Sequence, residues 1–252
     1  MLWVLFVNIA SAIFDRSAPD LAACPDESLP EFAFIGRSNV GKSSLLNMLA
    51  GKGLLARVSP TPGFTKLINI FTINKTWRLV DLPGYGFAHV ARKDKVLFNH
   101  AVNEYLRNRP NLCVVFLLLD SGLAPQPIDL DFVEWLCRNS VPFVLVFNKT
   151  DRKTPEEVQA NIAAFKTAIS VWFEKLPEIF QCSSKTGLGR SELLGVIDET
   201  LKAGPAPEGP TEPVEPLPPE IEPPFSMRIL SGNEGKQKNT RDKKRMKSPR
   251  PW

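Results

Sequence analysis

Gly36-Arg-Ser-Asn-Val-Gly41-Lys42-Ser43 fits the pattern G-x-x-x-x-G-K-[ST], and its setting constrains this chain more than any other feature. The apolar run 32–35 precedes it and the apolar-periodic stretch 42–49 follows, so the glycine loop joins a strand to a helix. Glycines let such a loop close tightly, with backbone N–H groups aimed inward at phosphate oxygens. The helix behind it adds a positive N-terminal end. Lys42 is placed to reach β- and γ-phosphates, and the Ser43 hydroxyl to ligate Mg²⁺. Arg37, Ser38, Asn39 and Val40 complete the cradle between Gly36 and Gly41.

Downstream the pattern alternates. Strands are expected at 32–35, 67–73, 77–82, 113–120, 143–148 and 179–182, and helices at 42–49, 93–107, 129–138, 155–176 and 191–202. This order predicts a three-layer α/β domain on a mainly parallel sheet. The run 113–119 is almost wholly apolar, as suits a strand covered on both faces. Residues 72–75 read as a hairpin turn that makes one edge strand antiparallel. Residues 1–7 are apolar, too short for a membrane span and without the basic flank of a signal peptide, so a buried strand is expected there. With no longer apolar stretch, no membrane span is expected.

Composition shifts near Ala203. Residues 204–225 are proline-rich and predict an extended linker. Residues 236–250 are basic and nearly devoid of apolar groups, too poor in buriable surface to fold alone. The chain thus divides into a domain, 1–203, and a linker with a disordered tail, 204–252. That tail suits either rRNA phosphates or plain solvation, since a charge run serves both. Cys24, Cys113, Cys137 and Cys182 show no C-x-x-C spacing, which fits a reducing compartment better than a disulfide framework.

Further motifs sit at predicted strand ends. In Asp81-Leu82-Pro83-Gly84 an Asp can hold Mg²⁺ and a Gly N–H can meet a γ-phosphate. Asn148-Lys149-Thr150-Asp151 supplies base choice, because a carboxylate accepts two N–H donors from guanine N1 and N2, which adenine lacks. Leaving it unpaired is costly, so adenine is rejected. The Lys149 stem can lie along the base plane. In Cys182-Ser183-Ser184 a backbone N–H can meet guanine O6. Thr65, within Gly63-Phe64-Thr65-Lys66-Leu67, holds the position of a switch threonine that joins Mg²⁺ when the γ-phosphate is present.

With these elements in order, the chain resembles the EngB/YsxC (YihA) family of ribosome-assembly GTPases. The likeness spans about residues 6–202 and is carried by GRSNVGKSSLLN (36–47), TPGFTKLIN (61–69), VDLPGYGFA (80–88), IDLDFVEWL (128–136), NKTD (148–151) and CSS (182–184). NRPNLCVVFLLLD and PIDLDFVEWL look like its organellar, plant-type branch. The resemblance implies a Ras-like P-loop domain that binds GTP and GDP with Mg²⁺. It also implies a monomer maturing the large ribosomal subunit, in a chloroplast or mitochondrion or, alternatively, a cytoplasm. Bacterial members are also described as needed for septation, so a GTP-gated module in division is the competing expectation. Phe64 and Lys66 depart from the family's usual Arg or Lys before the threonine and Gln after it.

Lys42, Thr65 and Asn39 are the expected catalytic residues. Tyr85 stands where Ras-type enzymes carry a water-orienting Gln, so hydrolysis is expected to be slow. Asn39 resembles the asparagine that recruits K⁺ in related GTPases; alternatively it only stiffens the loop.

Overall fold

A computed structural model describes residues 8–51, 67–85 and 92–204, the side chains of 92–99 excepted. A seven-stranded sheet runs in the order β1-β3-β4-β2-β5-β6-β7. The strands are β1 (Ala12–Ala18), β2 (Glu31–Gly36), β3 (Ile68–Ile73), β4 (Trp77–Asp81), β5 (Leu112–Asp120), β6 (Phe143–Asn148) and β7 (Ile179–Gln181). From β4 to β7 all pairings are parallel, while β3 runs antiparallel to both neighbours. The expected hairpin at 72–75 is present between β3 and β4. Its antiparallel strand is not at the edge, however, because β1, unseen in the sequence pattern, covers it. β1 is exposed along most of its length, so it lacks the alternation that would mark a strand.

Among the described residues, five α-helices cover the sheet: α1 (Lys42–Ala50), α2 (Arg92–Asn108), α3 (Pro127–Arg138), α4 (Pro155–Ile169) and α5 (Arg190–Ala203). Alternation along the central strands divides the core in two. Phe32 and Phe34 of β2, with Phe116 and Leu118 of β5, pack under α1 and α5. Ala33 and Ile35, with Val115, Leu117 and Leu119, pack under α2, α3 and α4. Burial on both faces explains why these strands read as continuous apolar runs.

α4 ends earlier than the expected 176. It starts at a capping box, Thr154 with Glu157, and gives way after Ile169 to a short 3-10 turn, Ser170–Trp172. Phe173 then becomes extended and sets its ring edge-on to Phe143, 6.0 Å away, which draws the chain off the helical path. Pro177 also disfavours helix at the residue before it. The apolar stretch 1–7, the expected switch residues Gly63, Phe64, Thr65 and Lys66, and the tail 205–252 lie outside the described residues.

Candidate functional site

β2, β4, β5 and β6 are parallel neighbours, so their carboxyl ends open onto one edge of the sheet, where ligands of open α/β folds gather. Gly36 closes β2, Asp81 closes β4, Asp120 closes β5 and Asn148 closes β6. The glycine loop, the Asp81–Gly84 segment and the Asn148–Asp151 segment, far apart in sequence, therefore meet, with Asp120 among them.

The glycine loop is held by close backbone approach. Gly41 has φ +96°, and a Cβ there would lie 2.6 Å from Asn148 Nδ2. A Cβ on Gly84 would lie 2.8 Å from Gly36 O, so the Asp81–Gly84 segment can press directly on the loop. α1 has no side-chain cap at its N-terminus, which leaves its first N–H groups free for an anion. The Ser38 hydroxyl and Asn148 Oδ1 are buried and unpartnered. The Ser38 hydroxyl can donate to a phosphate oxygen, whereas Asn148 Oδ1 can only accept and so suits an N–H or O–H donor.

Lys42 directs its ammonium onto Asp81 Oδ1. Burial pushes the Lys42 ammonium down to about 7. Ser43 and Asp81 flank that lysine as hard oxygen donors, the kind that hold Mg²⁺ together with phosphates. Leu67, the described end of the first switch, is exposed.

Asn148 Nδ2 donates to Val40 O at 3.0 Å, tying the base motif to the phosphate loop. Lys149, at φ +66°, places its ammonium 2.5 Å from Asn39 O and 2.7 Å from Asp120 Oδ2. Asp151 is exposed, and its Oδ1 accepts from Ser183 Oγ at 2.6 Å, a bond that lowers its pKa and keeps it a carboxylate. Ser183 spends its N–H on Leu188 O, so of the two serines Ser184 is left to offer a backbone donor to a base carbonyl. Thr150 turns inward, its N–H and hydroxyl both on Cys182 O. Val40, Leu82, Pro83 and Cys182 are buried, so they meet any ligand through backbone alone.

Comparison with known proteins now decides the lineage. The probable GTP-binding protein EngB of Cytophaga hutchinsonii is 46% identical over 192 residues, covering 76% of this chain and 96% of its own length. This chain belongs to the EngB family. The Bacteroides fragilis EngB is 45% identical, covering 78% of this chain and 98% of its own. A crystal structure of a probable EngB GTP-binding protein superposes with a TM-score of 0.56 at 25% identity, over 69% of this chain and 99% of the other. Residues 31–149 match the family described as 50S ribosome-binding GTPase. The chain is thus a GTP-binding P-loop GTPase, and the expected Ras-like fold with a mainly parallel sheet is the one observed.

Motif reading missed three residues of this EngB-type site. Asp120, at the end of a long apolar strand, holds the Lys149 ammonium. Asp129, in the first turn of α3, accepts from Tyr85 Oη at 2.9 Å. Arg190 donates to Met48 O and Leu49 O, each at 2.9 Å, and so braces the far end of the helix that carries Lys42. Asp120 left a signal as a carboxylate closing a strand at the ligand edge, and Asp129 as part of the segment IDLDFVEWL, though neither pointed to its partner.

Proposed function

We propose that this protein is a GTP-operated switch in assembly of the large ribosomal subunit, turning GTP over slowly to GDP and phosphate with Mg²⁺ bound. The observation that carries the slow turnover is Tyr85. Its ring is buried against Phe132, with its hydroxyl on Asp129, so the position that would hold a water-orienting Gln faces the core. Lys42 and the loop amides grip the phosphates, and Ser43, Asp81 and Thr65 supply the oxygens for Mg²⁺. Bound there, Mg²⁺ neutralises charge developing on the phosphates. Gly63, Phe64, Lys66 and Leu67 form the first switch around Thr65.

Asp151 and Ser184 read guanine, and Asn148 and Lys149 hold the base motif to the loop. Asp151→Asn is expected to weaken GTP binding and shift preference to xanthosine triphosphate. Equal GTP and ATP affinity in the unchanged protein would refute the base assignment.

Asn39 stands exposed at φ +66°, a backbone state Asn tolerates, which accounts for Asn here without an ion. The K⁺ role is tested by hydrolysis in KCl against NaCl at equal ionic strength; equal rates leave Asn39 a loop residue only.

The ribosomal reading is supported by kinship with the 50S ribosome-binding GTPase family. The decisive measurement is co-sedimentation with large-subunit precursors in a non-hydrolysable GTP analogue and in GDP. Retention in the analogue alone supports the switch; association only with division proteins replaces it with the septation reading. Residues 204–252 are proposed to add salt-dependent RNA affinity, seen as a smaller salt slope on their removal. The organellar reading rests on the two plant-type segments, whereas the relatives above are bacterial; imaging the tagged full-length protein decides between organelle and cytoplasm.

A further inference from the structure

Tyr85 is stitched to the phosphate loop on both sides of its backbone. Its N–H donates to Gly36 O at 3.2 Å, and its carbonyl accepts from Ser38 N at 3.1 Å. Its side chain leaves that seam, packs 4.8 Å from the Phe132 ring, and ends on Asp129 Oδ1 at 2.9 Å. The other oxygen of Asp129 lies 4.0 Å from Arg37 Nη1, and Arg37 is itself a phosphate-loop residue. One carboxylate on α3 therefore touches the loop and the residue next to Gly84.

That carboxylate is held against a cost. Asp129 is buried, and burial pushes its pKa up to about 6, against the lowering effects of the Tyr85 hydrogen bond and Arg37; Asp120, at the end of β5, raises it further. Its place in the first turn of α3 favours the anion. A neutral amide would accept the Tyr85 proton with less penalty but would not attract Arg37.

We propose that Asp129 is a positioning residue for GTP: through Tyr85 and Arg37 it clamps the Asp81–Gly84 segment to the phosphate loop, so that the Gly84 N–H stands ready for the γ-phosphate. The proposal rests on the reading that GTP is the ligand. It separates the γ-phosphate from the rest of the nucleotide, because GDP has nothing for Gly84 to meet.

The test measures affinity for fluorescent GDP and for a non-hydrolysable GTP analogue in the unchanged protein, Tyr85→Phe, Asp129→Asn and the double variant. Tyr85→Phe keeps the ring in its packing place, so it reports on the hydrogen bond even if Asp129→Asn folds poorly. Tyr85→Phe breaks the Tyr85–Asp129 link and Asp129→Asn the Asp129–Arg37 link of one series, so each single variant is expected to lose up to about tenfold in analogue affinity, with GDP affinity held within about twofold. The double variant is expected to lose no more than the worse single one, since both cut one linkage. Lowering the pH through 6 should reduce the analogue-to-GDP ratio more in the unchanged protein than in Asp129→Asn. The γ-phosphate's own titration is common to both proteins, so the difference belongs to Asp129. An unchanged ratio with GDP binding intact overturns the clamp and leaves the GTPase reading standing. Equal loss of both nucleotides also overturns it, making Asp129 mere support for the loop. Failure of the unchanged protein to bind GDP overturns the GTP reading, and the clamp with it.

Discussion

The two ends of the sheet both bury charge, yet they neutralise it differently. At the amino end of β2, Glu31 is fully buried and meets its counter-charges within the fold. Its Oε2 accepts from Tyr105 Oη at 2.7 Å and Arg109 Nε at 2.9 Å, and its Oε1 from Arg109 Nη2 at 2.7 Å and Arg78 Nη1 at 3.4 Å. Burial works against the Arg109 cation, but Glu31 outweighs it and the Arg109 pKa is raised. At the carboxyl end the result is the reverse: burial wins and the Lys42 pKa is lowered. Ser38 Oγ and Asn148 Oδ1 there have no protein partner. A carboxylate met by three side chains of its own fold holds that fold together, whereas a cation with a single protein carboxylate at the glycine loop still has room for a ligand's charge.

Breaking the first end should cost the most. Glu31→Ala takes the buried anion from two guanidinium groups, leaving Arg78 with Asp26 and Arg109 with Glu27, and is expected to lower unfolding free energy by roughly 3 kcal/mol, measured by urea denaturation, with nucleotide affinity of the folded protein within about threefold. Lys42→Ala should act mainly on the ligand. It removes charge-assisted contacts worth about 1.5–3 kcal/mol each, so GTP affinity by calorimetry should fall on the order of 100-fold, while urea stability falls by less than in Glu31→Ala because only the Asp81 carboxylate loses its cation. Stability falling in step with affinity would erase the contrast between the ends.

Asp129 sharpens the comparison through pH. Its folded pKa, about 6, lies above its ordinary value of 3.8, so the folded state holds this proton more tightly than the unfolded chain does. Its contribution to stability is complete below about pH 4 and is lost as pH rises through about 6. The expected loss is roughly 3 kcal/mol, and Asp129→Asn should remove that part of the slope in denaturation at several pH values. Smallest is Asp120→Asn, which keeps an acceptor for Lys149 but not the charge. Affinity for GTP and GDP together is expected to fall about threefold to tenfold, as for one surface-facing ion pair at a ligand edge. No change would mean that Asn39 O alone suffices to hold Lys149.

Much of this was legible before any coordinates. The strand–loop–helix around Lys42 stands where it was read, as do β4, β5 and β6 to within a residue or so at each end, because strands buried on both faces leave apolar runs and turn residues punctuate them. The place of Asn148–Asp151 at the end of β6 was legible too, since its four residues follow a buried apolar strand. What escaped was β1, whose exposed face carries no alternation, and the end of α4, decided by where Phe173 meets Phe143. Asp129 and Asp120 escaped for a further reason. Each acts on a residue distant in the chain, Tyr85 and Lys149, and local pattern holds no record of such a pairing. Local order therefore determined the kind of fold and the kind of ligand. Only the packed sheet, by bringing four strand ends to one edge and α3 against β4's end, decided which buried charges are closed upon each other and which await a phosphate.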